Sequence, residues 1–265
     1  MELGRYGFTV DPTLPDAREI EDLGFGTLWI NGGQIDRLDV LTDLLASTRR
    51  AVVASAIIPP DVYGPDEVIE LYRRAELVAP GRLMIGLGSS HRKPLAALSE
   101  YVDVLDPIPR DRRLLAAFGP RALAIAGERF AGAMPGMITA EYTARVRQRL
   151  GDDAQLIVGQ YAVLDTDPDT ARQTARVPLR FLTAMRSYAD SARRQGFTEH
   201  DIETLGDGLV DGVVAWGSAA DIAARARQHL AAGAHHVYLS VLSDGTQPSG
   251  LEAARLLSSA VEVRH

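Results

Sequence analysis

The residues best suited to chemistry follow an apolar segment near position 87, in the run Gly88-Ser89-Ser90-His91. Glycine backbone there can approach a ligand closely, and an imidazole can exchange protons near neutral pH. We therefore take His91 and Ser90 as candidate catalytic residues, with Gly88 and Ser89 as candidate binding residues. The alternative is a tight turn whose serine caps the next helix and whose charged side chains are solvated.

Two further turns combine glycine with the start of a predicted helix. Such a helix end offers free N–H groups and the positive end of the helix dipole, which suit a phosphate. The first turn comprises Gly119, Pro120 and Arg121, and the second comprises Gly136, Met137, Ile138 and Thr139. Arg121 would add charge to the first, and Thr139 a hydroxyl to the second. A plain turn before a helix is the alternative for both.

A third candidate region, Ser55, Ala56 and Ile57, lies just before the pair Pro59-Pro60. Small side chains at the end of a strand would let a planar ring lie against the backbone. The alternative is ordinary core packing.

Elements that would position these residues alternate along the whole chain as short apolar runs and amphipathic helices. The predicted strands are Leu3–Val10, Thr27–Ile30, Ala51–Ile58, Leu83–Leu87, Leu114–Phe118, Ala131–Met134, Gln155–Leu164 and His235–Leu242. Strands separated by helices predict a parallel sheet, and eight such units predict an α/β fold of the (β/α)8 TIM-barrel type. A doubly wound open sheet is the alternative.

One long segment departs from this alternation, a mostly helical excursion from Pro168 to about Val214, between the seventh and eighth predicted strands. No linker, low-complexity tract or long repeat divides the chain, so we expect residues 1–265 to form a single barrel domain. In such a barrel the reacting groups lie in the loops after the strands, where all the candidate residues fall.

Composition excludes several classes of function. The 265 residues contain no cysteine and carry a formal net charge of −7, which argues against thiol chemistry, disulfides and nucleic-acid binding and favours a small-molecule substrate. No GxGxxG, HExxH, GxSxG, Walker or EF-hand spacing is present, so we expect neither a Rossmann nicotinamide site nor a metal site. No apolar stretch is long enough for a membrane span and no signal peptide is evident, so we expect a cytoplasmic protein that does not interact with membranes.

Several other conspicuous residues have simpler explanations. His235 and His236 are adjacent on a strand and so point to opposite faces, which favours structural roles over a shared metal. Trp29 and Trp216 suit packing in the core or at its rim. The acidic run Asp165–Asp169 suits the capping of the following helix.

Two segments resemble a known superfamily. Residues 21–30 (EDLGFGTLWI) and 79–91 (APGRLMIGLGSSH) are similar to the signatures around the second and fourth strands of luciferase-like flavin and deazaflavin oxidoreductases, and residues 232–237 (AGAHHV) are similar to their last strand. The likeness is greatest to the actinobacterial branch that uses the deazaflavin coenzyme F420.

This resemblance implies an F420-dependent oxidoreductase that transfers a hydride to or from a small organic substrate, and it favours a homodimer. The cofactor ring would rest on a bulge at Ser55, Ala56 and Ile57, a place where the superfamily often has a non-prolyl cis peptide. The phosphate-bearing tail would lie near Gly119–Arg121 and Gly136–Thr139. His91 would lie at the position where related sugar dehydrogenases carry a glutamate beside the cofactor.

The sequence also departs from that pattern. The loop after the second strand has Gly32 and Gly33 where the sugar dehydrogenases have Asp and His, so a sugar phosphate is a poor substrate candidate. The segment between His91 and Leu114 is shorter than usual in the superfamily. Two alternatives stay open: a monooxygenase that uses flavin mononucleotide (FMN) supplied by a separate reductase, and a non-catalytic barrel that binds a cofactor or partner. A barrel isomerase or aldolase that acts on a phosphate substrate is a further alternative, but Lys93 is the only lysine near a strand end.

Overall fold

Parallel strands form the centre of the computed structural model, which describes residues 2–13, 15–88 and 95–263. In that part of the chain the strands are β1 (Tyr6–Thr9), β2 (Thr27–Asn31), β3 (Val52–Ala56), β4 (Leu83–Leu87), β5 (Arg113–Leu115), β6 (Gly132–Ala133), β7 (Gln155–Val163), β8 (Val214–Trp216) and β9 (His236–Val241). The helices are α1 (Ala17–Asp22), α2 (Asp39–Ser47), α3 (Pro65–Val78), α4 (Leu95–Val104), α5 (Pro120–Arg129), α6 (Ala140–Leu150), α7 (Pro168–Thr183), α8 (Arg186–Gln195), α9 (Glu199–Thr204), α10 (Asp207–Val213), α11 (Ala219–Ala231) and α12 (Gly250–Ala260).

Eight of these strands close into a barrel. β1 to β7 pair in chain order, β7 then pairs with β9, and β9 pairs with β1. The ninth strand, β8, pairs only with the end of β7, where Val163 lies opposite Trp216. The predicted (β/α)8 barrel and its helical excursion are therefore confirmed, and the doubly wound alternative is wrong.

The sequence missed β8. The predicted excursion ended at about Val214 and no strand was predicted over Val214–Trp216, because α10 runs into Val214 with no glycine or proline between them. The barrel strands are also shorter than predicted at several ends. The first strand spans Tyr6–Thr9 rather than Leu3–Val10, and the third ends at Ala56 rather than Ile58. β5 and β6 are only three and two residues long.

Side chains alternate between the barrel interior and the helical layer. Inside, a buried cluster includes Trp29, Met84 and Tyr238. Outside, residues such as Leu28 and Val53 pack beneath the surrounding helices in a larger cluster. The closed interior leaves the carboxyl ends of the strands as the natural place for a ligand.

A buried carboxylate holds the turn before β3 in place. Glu21 is 3% exposed, and its side chain accepts hydrogen bonds from the backbone N–H groups of Arg49, Arg50 and Ala51. Such charge-assisted bonds are stronger than neutral ones. They tie the end of α1 to the turn that starts β3.

The excursion is fastened to β8 by a polar cluster. Arg172 of α7 donates two hydrogen bonds to Asp211 of α10, at 2.9 and 2.7 Å. The indole N–H of Trp216 donates to the same carboxylate, and the Arg172 guanidinium lies over the Trp216 ring at 5.4 Å. The acidic run before α7 serves as expected, because Asp167 accepts from the Thr170 N–H and caps the helix.

Candidate functional site

A pocket opens among the carboxyl ends of the barrel strands, and we call it the mouth pocket. Asn31 and Ser240 line one part of it, and the Asn31 amide donates to the Ser240 hydroxyl at 3.2 Å. Ala56 and Ile57 form another part. Of the described residues that line this pocket, none carries a charge. The pocket therefore suits an uncharged or delocalised ring system rather than a compact ion.

Ser55, Ala56 and Ile57 form a bulge at the end of β3. Regular pairing of β3 with β4 stops after Ala54 and resumes when the Ile58 N–H donates to the Gly86 carbonyl. The peptide bond between Ala56 and Ile57 is cis. The bulge and the cis peptide thus lie where the resemblance placed them.

The three bulge residues do different things. The Ser55 side chain is buried, and its hydroxyl bonds to both the carbonyl and the N–H of Gly86, so it joins the two strands and does not line the pocket. Ala56 and Ile57 face the pocket. Gly88 lies beside Ile57, where an added Cβ would come within 2.6 Å of the isoleucine side chain. Glycine at 88 therefore lets Ile57 occupy its place.

The turn after β5 leads from the pocket wall into a helix N-terminus. Phe118 lines the pocket, and Gly119 is the N-cap of α5 with Pro120 at the first helical position. The N–H groups of Arg121 and Ala122 have no partner within the helix, because the first helical bond runs from the Leu123 N–H to the Gly119 carbonyl. The guanidinium carbon of Arg194 lies 3.8 Å from where a Cβ on Gly119 would be. Arg194 therefore adds positive charge to this turn, and sequence reasoning missed it because it lies far along the chain, on α8.

Polar backbone groups of the turn after β6 already form hydrogen bonds within the protein. Gln195, also on α8, accepts from the Thr139 N–H at 2.8 Å and donates to the Met137 carbonyl. The Thr139 hydroxyl caps α6 by accepting from the Tyr142 N–H. The side chains of Met137 and Ile138 are buried in the core. Of the four residues predicted here, the structure brings only Gly136 to the mouth pocket.

Three tyrosines that sequence reasoning did not single out line the same pocket: Tyr161 on β7, Tyr188 on α8 and Tyr238 on β9. Burial raises the pKa of each phenol, to about 12 for Tyr188. All three are therefore protonated near neutral pH. Alternation along the strands could have pointed to Tyr161 and Tyr238, but nothing in the sequence placed Tyr188 at the barrel mouth.

The catalytic candidates Ser90 and His91, together with Ser89, lie outside the described residues. The described neighbour Gly88 continues β4 toward the carboxyl end of the barrel, next to Ile57. The proposed chemistry of His91 thus stays a prediction.

His235 and His236 have the structural roles expected of them. His236 accepts from the Trp29 indole N–H inside the barrel, and His235 lies within 3.1 Å of both Arg147 and the Leu156 N–H. In the described part of the chain, no group of three or more His, Cys, Asp or Glu side chains is arranged to hold a metal ion. Nor does any described helix have the length and apolar character needed to cross a membrane.

Comparisons with known proteins find similarity in fold but not in sequence family. No protein-family model matches the chain, and no curated protein matches it. Solved structures do match over nearly its whole length.

Three of these structures illustrate the match. An F420-dependent secondary alcohol dehydrogenase in complex with an F420-acetone adduct is 14% identical, with all of both chains covered and a TM-score of 0.74. The coenzyme F420-dependent tetrahydromethanopterin reductase from Methanopyrus kandleri is 14% identical over 99% of each chain, with a TM-score of 0.71. The oxygenating constituent of 3,6-diketocamphane monooxygenase from Pseudomonas putida, in complex with FMN, is 12% identical over 97% of each chain, with a TM-score of 0.68. At such identities the likeness establishes the fold, and the chain has the luciferase-like (β/α)8 barrel fold that its sequence signatures resemble.

Proposed function

We propose that this protein is an oxidoreductase of the luciferase-like type that uses coenzyme F420 and transfers a hydride to or from a small organic substrate. One observation carries the proposal: an uncharged pocket at the barrel mouth leads, through Phe118, directly into the free N-terminus of α5 beside Arg194. This arrangement suits a ligand that joins a planar ring to a phosphate.

The residues present fit the ring of such a coenzyme. Ala56 contributes only a methyl group, and Gly88 has no side chain between the backbone and Ile57. The bulge therefore offers an apolar surface with little relief. A tricyclic ring lying there would contact Ala56 and Ile57 and exclude water from one of its faces.

The phosphate is assigned to the turn after β5. The N–H groups at the start of α5 would donate to its oxygens, and Arg194 and Arg121 would add positive charge. The turn after β6 is a weaker candidate, because Gln195 already satisfies the Thr139 N–H and the Met137 carbonyl. Gly136 would instead leave space beside the ring.

F420 is preferred over FMN because the similar structures with TM-scores of 0.74 and 0.71 are described as F420-dependent. The second candidate is an FMN-dependent monooxygenase, favoured by the likeness to the diketocamphane enzyme in complex with FMN. Both readings place the ring in the same pocket. They differ in whether dioxygen takes part in the reaction.

When bound, the coenzyme supplies or accepts a hydride at its ring. The protein places the reacting carbon, excludes water and exchanges a proton. On the strength of the sequence resemblance, we assign to His91 the exchange of a proton or the anchoring of the substrate, and we propose Ser90 as a hydrogen-bond partner in that role. Asn31 and Ser240, hydrogen-bonded to each other at the pocket edge, would orient a polar group of the substrate.

Anaerobic binding of oxidised F420 and of FMN, followed by coenzyme fluorescence, tests the proposal. We expect F420 to bind more tightly, and Arg194→Gln to weaken its binding by roughly tenfold because a charge-assisted contact to phosphate is lost. Arg186→Gln is the matched control, since this arginine of the same helix is 93% exposed.

A second variant tests the position of the ring. Gly136→Asp should abolish binding, because it would place a charged carboxylate in the mouth pocket where the ring is proposed to lie. The new side chain can be accommodated, since no atom lies within 3.4 Å of its Cβ. Stronger binding of FMN together with turnover that requires dioxygen would favour the monooxygenase. Failure of both coenzymes to bind would reject the proposal and leave the non-catalytic barrel.

A further inference from the structure

Tyr161, Tyr188 and Tyr238, which we call the tyrosine cluster, present hydroxyl groups to the mouth pocket that the protein itself does not use. In the described part of the chain, no group forms a hydrogen bond with any of the three hydroxyls. Tyr238 is only 8% exposed, and it lines the mouth pocket together with the other two tyrosines. An oxygen atom of a ligand in the pocket would supply the missing partner.

The cluster lies across the barrel from the bulge of β3. In the closed order of eight strands β3 is third, β7 is seventh and β9 is eighth, so β7 is diametrically opposite β3. Tyr161 therefore faces Ala56 and Ile57 across the mouth pocket. A substrate between the bulge and the cluster would have one face toward a ring resting on the bulge and its polar atom toward the phenols.

Aromatic packing holds the rings of Tyr238 and Tyr188 in place. Tyr238 stacks on Trp29 with ring centroids 4.5 Å apart and planes 20° apart. Gly159 leaves room for the Tyr238 ring, since a Cβ there would come within 2.4 Å of the hydroxyl. Tyr188 packs against Phe118 at 4.8 Å. Donors held in place before the ligand arrives stabilise developing negative charge effectively, because they need no reorganisation.

The chemistry of the pocket narrows the ligand class. Phenols that stay protonated at neutral pH offer hydrogen-bond donors, so they suit an acceptor oxygen. No charged side chain lines the described part of the pocket to pair with a carboxylate, phosphate or amine of a substrate. A carbonyl group on an uncharged molecule meets both conditions.

We infer that the tyrosine cluster binds the oxygen of an uncharged carbonyl substrate and donates a proton to it as the carbon is reduced. Of the two roles proposed for His91, this inference leaves the anchoring of the substrate. The inference rests on the proposed function for its reductant, a reduced deazaflavin or flavin. Hydride from that coenzyme forms the new C–H bond, the C=O π electrons move to oxygen, and one phenol O–H bond breaks as its proton passes to that oxygen. Water then reprotonates the phenolate, and the coenzyme is left oxidised.

Binding of 4-nitrophenol tests the cluster without turnover and without coenzyme. The absorption of this probe reports its ionisation, and its phenolate oxygen mimics the negative charge that develops on a carbonyl oxygen. We expect the bound probe to have a lower pKa than the free probe. Each of Tyr161→Phe, Tyr188→Phe and Tyr238→Phe should raise the pKa of the bound probe by about one unit, because one donor is removed while the ring stays.

Tyr6→Phe is the matched control, since this buried tyrosine lines a cavity at the opposite end of the barrel. An unchanged pKa of the bound probe in all three cluster variants would overturn the inference. The inference would also be overturned if these variants weakened the binding of F420 or FMN by as large a factor as they weakened binding of the probe's phenolate. If neither coenzyme binds but the probe responds as expected, the proposed function fails while the cluster is upheld as a binding site for an acceptor oxygen. If the bound probe has the same pKa in all three cluster variants as in the Tyr6→Phe control, the cluster is rejected as a binding site for an acceptor oxygen as well.

Discussion

The indole N–H of Trp29 donates a hydrogen bond of 3.0 Å to Nε2 of His236, inside the barrel and below the mouth pocket. Nδ1 of the same ring lies 2.8 Å from the Gly4 carbonyl and donates to it. With one ring nitrogen accepting and the other donating, His236 is held as a neutral imidazole. Because Trp29 also stacks on Tyr238, this pair supports the floor of the pocket.

Stability should therefore decrease in mild acid. Burial lowers the pKa of His236 to about 4, and burial, with a smaller contribution from Arg225, lowers that of His229 to about 4. An unfolded histidine binds a proton near pH 6.5, whereas these folded histidines do so only near pH 4. Above about pH 6.5 both histidines are neutral in the folded and unfolded states, so the free energy of unfolding is at its full value. As the pH falls toward 4 it decreases, by up to about 3 kcal/mol for each histidine, because the unfolded state binds protons first.

Urea unfolding between pH 7.5 and 4.5 measures this effect. Carboxylates also lose stability in acid, so the comparison is between the wild type and His236→Gln. The variant should be less stable at pH 7.5 but should lose less stability on acidification. Parallel pH curves for the two proteins would contradict the assignment of a neutral, buried His236.

Glu21→Gln should destabilise the fold by about 2 kcal/mol. The substitution removes the charge that strengthens the bonds from the N–H groups of Arg49, Arg50 and Ala51, and it turns an amide NH₂ toward donors. Its exposed neighbour provides the control, because Asp22 makes only a 3.6 Å surface ion pair with Arg50. Asp22→Asn should change the free energy of unfolding by less than about 0.5 kcal/mol. Equal losses in the two variants would show that the buried carboxylate has no special role.

Gly159→Ala and Gly208→Ala should have opposite effects. A Cβ at 159 would meet the Tyr238 hydroxyl and ring at 2.4 and 2.5 Å, so the stacked ring must move, at a cost of about 1–3 kcal/mol. Gly208 lies in α10 with nothing within 4 Å of an added Cβ, so alanine there should stabilise the fold by about 0.5–1 kcal/mol. Thermal unfolding of both variants measures these changes. A neutral Gly159→Ala would mean that Tyr238 is not confined as described.

Asp211→Asn should loosen the helical excursion and leave the barrel intact. The Arg172 guanidinium holds the pKa of the Asp211 carboxyl below its usual range, and the Trp216 N–H adds a further bond. Loss of the charge should cost about 1 kcal/mol and accelerate hydrogen exchange in residues 168–216. Asp190→Asn, which affects only surface pairs on α8, is the control. Faster exchange throughout β1–β7 would contradict a local role.

Regular features of this fold were predictable because they follow from local patterns. Apolar runs separated by amphipathic helices predicted the barrel, and Gly119 followed by Pro120 marked the start of α5. Contacts between distant segments were not predictable in this way. Arg194 and Gln195 reach the turns after β5 and β6 from α8, and no local signal in residues 168–213 indicates where that helix packs. Tyr188 was missed for the same reason, and β8 was missed because α10 enters it without a break.

The pairing of Val163 with Trp216 has a consequence for how such a protein can diversify. The chain leaves the barrel and returns to it on neighbouring strands, so the two ends of the excursion lie side by side. A segment with adjacent ends can be lengthened, shortened or exchanged at small entropic cost to the rest of the molecule. Because this segment carries Tyr188, Arg194 and Gln195, its replacement would change one wall of the pocket and the contacts to the turns after β5 and β6 together. Exchanging the excursion between barrels of this type should therefore be a practical way to change substrate selectivity.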